Sequence, residues 1–181
     1  MSLVELLVST ALVGIIMVGV VSVDYATRMS QQKASRSGLV AMHTSTTMLE
    51  IVQKANITNG IQSVNNSRCV ICVNTSDCCF RQDSSNTPAL YTDDTFACYT
   101  KIGTNIYKCT RASAGSCVGT DPLLGTAVSL DISLVQDNTL ANQTFYISIA
   151  LSDRYNAAAA AGMTNPQIDL TTRVFPGTCS Y

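Results

Sequence analysis

Tryptophan is absent from the 181 residues, histidine occurs once and proline only four times. Charged residues make up 13% of the chain, well short of the roughly 25% usual in soluble domains. Eleven basic against twelve acidic side chains leave a net charge near −1. The basic excess needed to bind a phosphate backbone is missing, so no nucleic acid is expected as a partner. No GxGxxG, GxxxxGKS or GxSxG pattern occurs. His43, the single histidine, has no cysteine or aspartate near it in sequence, which argues against a catalytic triad or a histidine-based metal site. The chain therefore reads as a non-enzyme, with no cofactor and no metal expected. Disorder is excluded as well, because 46% of the residues are hydrophobic.

Those apolar residues are unevenly spread. From Leu6 to Val23 there are 18 residues without one ionisable side chain. At about 1.5 Å per residue the run covers ~27 Å, close to the hydrocarbon thickness of a bilayer. A cleavable signal peptide would show a basic leading region and a small-residue cleavage site after the apolar run, and neither is visible. The expectation is a helix that is retained. Glu5 interrupts this leader, and a carboxylate among apolar groups is costly unless it reaches the headgroups or meets a cation. One such cation is an N-terminal amine, either that of Met1 in the same chain or that of a neighbour shifted by one helical turn.

With these residues in view, Met1-Ser2-Leu3-Val4-Glu5-Leu6-Leu7-Val8 resembles the mature N-terminus of bacterial type IV pilins and of the pseudopilins of type II secretion. The shared pattern is a hydrophobic first residue, glutamate at the fifth position and a long apolar helix, and it covers about 25 residues. The resemblance implies a precursor whose short basic leader is removed just before Met1, with N-methylation of Met1 by the same prepilin peptidase. It implies that Glu5 forms an assembly salt bridge and that the helix is buried first in the inner membrane, then in a filament core. The chain departs from many pilins in having no proline near Ser22; Gly14, Gly19 and four valines occupy residues 14–23 instead, which allows local unwinding there in a filament without demanding it.

From Asp24 to about Ala55 the pattern stays helical. Residues 24–37 are mostly polar, and Leu39, Met42, Thr46, Leu49 and Val52 then recur at spacings of three and four, a face expected to pack on the rest of the chain. Asn59-Gly60 supplies a stop. Beyond it, Thr95–Thr100 and Asn105–Thr110 read as a hairpin around Gly103-Thr104. Ala127–Gln136, Thr144–Ser152 and Gln167–Val174 read as antiparallel meander strands with one apolar face.

Eight cysteines, seven of them between residues 56 and 122, point to an oxidising compartment. Cys69-x-x-Cys72 lacks the second spaced pair of a zinc ribbon, so Cys69, Cys72, Cys78, Cys79, Cys98, Cys109, Cys117 and Cys179 are read as four structural disulfides. Four bridges allow 105 connectivities. The hairpin register places Cys98 opposite Cys109, and Cys179 is expected to reach a partner far upstream. Asp93, Asp94 and Asp121 lack a spaced calcium-loop pattern and read as solvated loop residues. Sequons stand at Asn56, Asn65, Asn74 and Asn142, and Ala157–Ala161 reads either as a helical turn at a subunit contact or as a loop.

The expected fold class is α+β with the type IV pilin-like plan. A helix over 1–55 (1–23 for membrane and filament core, 24–55 amphipathic) carries a disulfide-stapled antiparallel head over 56–181. The expected function is that of a structural subunit that polymerises with copies of itself, with the pilus assembly machinery as partner and an extracellular filament as destination. A secretion pseudopilin is the nearest alternative, and a membrane-anchored, non-polymeric, cysteine-rich periplasmic module is the alternative from another class. A conductive filament is disfavoured, since Tyr25 is the only aromatic residue in the first 55.

Overall fold

In a computed structural model of the chain, residues 3–64, 67–83, 92–137, 144–155 and 165–180 are described. Met1, Asn65, Asn142 and Ala157–Ala161 lie outside them. One helix, α1 (Leu3–Asn56), runs 54 residues, about 80 Å at ~1.5 Å per residue. Glu5 in its first turn and Lys54 in its last suit the two ends of the helix dipole. It continues without interruption through residues 14–23 in the single chain.

Among the described residues ten strands follow: β1 (Asn59–Ile61), β2 (Val70–Asn74), β3 (Asp77–Gln82), β4 (Thr95–Ile102), β5 (Asn105–Arg111), β6 (Leu123–Thr126), β7 (Ser129–Asp137), β8 (Thr144–Arg154), β9 (Gln167–Val174) and β10 (Thr178–Ser180). An antiparallel sheet takes the order β2-β3-β4-β5-β6, a second one the order β7-β8-β9, and β1 pairs with β10 in parallel. The β4–β5 hairpin turns at Gly103, whose φ of 62° is one that a residue with a side chain rarely adopts. In β7 and β8 the apolar alternation faces inward: Leu130, Ile132, Ile147, Ile149 and Leu151 are all buried. The architecture is α+β, a long N-terminal apolar helix with antiparallel sheets and disulfides.

The head grips only the C-terminal part of α1, and it does so on a different face from the one the spacing suggests. Val40, Thr44, Thr47, Met48, Ile51 and Ala55 are buried against the head, with Val52 half-buried. Leu39, Met42, Thr46 and Leu49 are exposed. At about 100° per residue these two sets project from opposite sides of the helix. Two threonines conceal the true stripe in the sequence. The Thr44 hydroxyl donates to the Val40 carbonyl (2.7 Å), which satisfies it without water and allows its burial. Thr47 lies against Gly125 of β6 so closely that any added Cβ would collide with its hydroxyl. Contact also begins earlier than the polar stretch 24–37 implies, because the Arg36 guanidinium sits 5.1 Å from the Tyr155 ring centre.

Where the helix ends, Thr58 donates to the carbonyls of Cys69 (2.7 Å) and Arg81 (2.9 Å). Arg81 is almost wholly buried, donates to the Ser67 carbonyl (3.0 Å) and forms an ion pair with the equally buried Asp94. Gly60, with φ of 132°, passes directly over the Ser67 carbonyl, where a side chain could not fit.

Candidate functional site

The largest unpaired feature of the chain is the stalk itself. Every described residue from Leu3 to Arg28 is exposed, so nothing among the described residues of the head covers the apolar run. A helix hydrophobic on all faces has to be covered all round by lipid or protein. Two of its hydroxyls close on the helix backbone: Thr10 donates to the Leu6 and Leu7 carbonyls (3.1 and 3.0 Å) and Ser22 to that of Val18 (2.7 Å). Polar side chains that close on their own backbone suit a medium without water. The helix is long and apolar enough to cross a membrane. Glu5 is exposed in its first turn; the Met1 amine, its expected partner, lies outside the described residues.

A second uncovered face lies higher up. Met42 is 67% exposed and Leu49 57%, on the side of α1 that points away from the head, with Leu39 (48%) at the edge of that side, beside the groove that α1 forms with β6 and β8. Leu39 follows Leu6, the start of the apolar run, by 33 residues, about 50 Å along the helix, so a bilayer with ~30 Å of hydrocarbon cannot cover the whole run and this face at once. Between them, the exposed Asp24 and Arg28 pair with each other (2.9 Å).

All eight cysteines are bonded, as Cys69–Cys179, Cys72–Cys78, Cys79–Cys98 and Cys109–Cys117. Cys69–Cys179 spans 110 residues and fastens β10 near the end of α1. Vicinal Cys78 and Cys79 send their bridges to opposite faces of the sheet, one to β2 and one to β4. Cys98 does stand opposite Cys109 in the β4–β5 register, but it stands opposite Cys79 as well, and the bond goes to Cys79. Cys109 turns instead to Cys117, whose backbone N–H donates to Thr100 (2.7 Å). Thr100 in turn donates to Asp77 (2.7 Å), and Ser116 donates to the other oxygen of the same carboxylate.

The three aspartates weighed for a cation are not brought together. Asp94 is buried on Arg81, while one oxygen of Asp121 accepts from both Arg111 (3.0 Å) and the Val118 N–H (2.7 Å). Solvation does not describe Asp94 either, because its loop folds inward to reach a guanidinium. His43 is exposed at a groove between α1 and the ends of β6 and β8. Among the other sequons, Asn74 is exposed, and its side-chain oxygen accepts from Ser76, through the backbone N–H (2.9 Å) and the hydroxyl (2.7 Å). Burial holds the Tyr99 phenol well above its ordinary pKa, and the nearby Glu50 carboxylate adds to the shift. Glu50 itself pairs with Lys108 (2.8 Å), tying α1 to β5.

Comparison with protein-family models, curated proteins and solved structures gives no significant match. The functional argument therefore rests on the residues and their arrangement.

Proposed function

We propose that this chain is a structural subunit that polymerises through its N-terminal helix into a type IV pilus or a related pilus-like filament. The observation that carries the reading is the second apolar face, Met42 and Leu49 turned away from the head with Leu39 at its edge, too far beyond the start of the apolar run for one bilayer to cover both. A membrane-anchored module that stays monomeric needs an apolar anchor and a covered head, and has no use for that face. A subunit that packs beside parallel copies does, since the helix core of a filament covers stalks from the side opposite their heads. The two uncovered segments then have one explanation, protein contact replacing lipid along the whole stalk. The N-terminal resemblance supplies the rest: inner membrane as the holding place, prepilin peptidase acting at Met1, and Glu5 meeting the first-residue amine of a neighbouring copy. A secretion pseudopilus would use the same contacts, and the proposal covers both kinds of filament.

The test is a pair of variants of the full chain expressed in a cell that assembles it. Glu5→Ala and Leu49→Asp should each leave a folded, membrane-held subunit with all four disulfides while sharply lowering filament yield. Breaking a buried ion pair costs roughly 3–5 kcal/mol, and a filament repeats that loss at every subunit. Wild-type yield from Leu49→Asp would remove the support that the second face gives.

A further inference from the structure

A cavity of about 490 Å³ opens between the last two turns of α1 and the β4–β5 hairpin. Sites that take up whole small molecules run from about 300 to 1,000 Å³. The strand register sets Tyr99 opposite Lys108 and Ala97 opposite Thr110, and Glu50 and Lys54 line the cavity from α1. Glu50 holds Lys108 at 2.8 Å, and Asp121, also in the lining, holds Arg111 at 3.0 Å. Lys54 enters no ion pair among the described residues, so three cations against two carboxylates leave the lining with one net positive charge.

Tyr99 is the second group in the lining with its bonding capacity unused. It is 2% exposed and its ring packs against Phe80, yet its hydroxyl makes no hydrogen bond to a described residue. A buried hydroxyl without a partner is costly, and a ligand that accepts from it removes that cost. Burial first, and then the nearby Glu50 carboxylate, raise the phenol above its ordinary pKa of 10.0, so at neutral pH it keeps its proton to donate. Both unused groups are therefore donors, and an oxyanion accepts from both. Beside them, the Glu50–Lys108 and Arg111–Asp121 pairs set further donors next to acceptors, an arrangement that hydroxyl groups meet from either side. Ala97 and Pro122 supply only small apolar patches, too little for a hydrophobic ligand.

We propose that this cavity binds a small acidic sugar, its carboxylate or phosphate group held by the Tyr99 hydroxyl and the Lys54 ammonium, and its hydroxyls by the two ion pairs. Tyr99 supplies the directional bond and Lys54 the charge. Glu50 and Asp121 do not repel the oxyanion strongly, because each is already neutralised by its own cation. A neutral sugar leaves Lys54 and the phenol unsatisfied, and a bare inorganic anion leaves most of the volume empty. The site lies wholly within one chain and does not depend on assembly of the stalks.

The experiment titrates the full chain, in neutral detergent micelles at neutral pH, with glucuronate, glucose 6-phosphate, glucose and inorganic phosphate, read by calorimetry. At least one acidic sugar should bind about tenfold or more tightly than glucose or phosphate, as a hydrogen bond to a charged group allows. Which of the two binds identifies the oxyanion. Tyr99→Phe keeps the ring and removes only the donor, and should weaken that binding about tenfold, with Lys54→Gln weakening it to a similar degree. Arg173→Gln, a cation of β9 that sits over the Tyr146 ring, should leave it unchanged. No binding of either acidic sugar at millimolar concentration, glucose or phosphate binding as tightly, or full affinity in Tyr99→Phe or Lys54→Gln would overturn the proposal. Should Tyr99→Phe fail to fold, Lys54→Gln, at the half-buried end of α1, decides the matter by itself.

Discussion

Ile51 and Leu49 stand two positions apart on α1 and face opposite ways: Ile51 is completely buried under the head, and Leu49 is 57% exposed. The stalk between Leu39 and Ala55 therefore has two apolar sides, one buried within the chain and one exposed. Their separate duties can be told apart by stability. Ile51→Ala should destabilise the head of the full chain in detergent by about 2–5 kcal/mol, as large-to-small core substitutions do. Leu49→Ala should stay within about 0.5 kcal/mol, the range of surface changes. Thermal unfolding of the two variants against the unaltered chain checks the contrast, and equal losses would mean that the head does not divide the helix this way.

The Arg81–Asp94 pair gives a second prediction, since both side chains are only 1% exposed. Asp94→Ala leaves a guanidinium in the core with part of its hydrogen bonding gone, and should cost roughly 3–5 kcal/mol. Replacing both partners by apolar residues of similar size, Arg81→Met with Asp94→Leu, should cost clearly less, because no charge is stranded. Denaturant midpoints of the single and double variants measure the difference. A double variant as unstable as Asp94→Ala would show that the position matters for another reason.

Tyr99 predicts how the head responds to alkali. Its phenol titrates higher in the folded state than the ordinary value of 10.0. The folded state therefore keeps the proton while the unfolded state loses it, so this contribution is complete below about pH 10 and declines as pH rises through the folded-state value. Tyr99→Phe removes the titrating group and should flatten that decline. Thermal midpoints of both proteins between pH 8 and pH 11 test it, with a steeper fall at high pH in the unaltered chain as the expected result and parallel curves as the contrary one.

How much of this was legible in the sequence depended on how local the physics was. The stalk showed itself because 18 residues without an ionisable group need no partner to be recognised. β7 to β9 followed from strict alternation. β3 gave no such signal: Asp77-Cys78-Cys79-Phe80-Arg81-Gln82 is buried on both faces, and its charges are satisfied by Thr100, Ser116 and Asp94, far along the chain or across it. The head-facing stripe was hidden because Thr44 and Thr47 count as polar until their hydroxyls are seen bonded or closely packed. Spacing picks out Leu39, Met42 and Leu49 instead, residues that the described part of the head leaves exposed. The disulfide partners of Cys98 were ambiguous for a geometric reason, since it faces a cysteine on each neighbouring strand.

The central claim, that the stalk is covered by other copies of the chain, is tested most directly by electron microscopy of the material sheared or extracted from cells that produce it. The account predicts filaments whose core is a bundle of parallel helices, with Leu39, Met42 and Leu49 of each copy packed against neighbouring stalks and the heads outside. Monodisperse particles, each a single chain with its helix in a lipid or detergent belt and that face open to water, would contradict it.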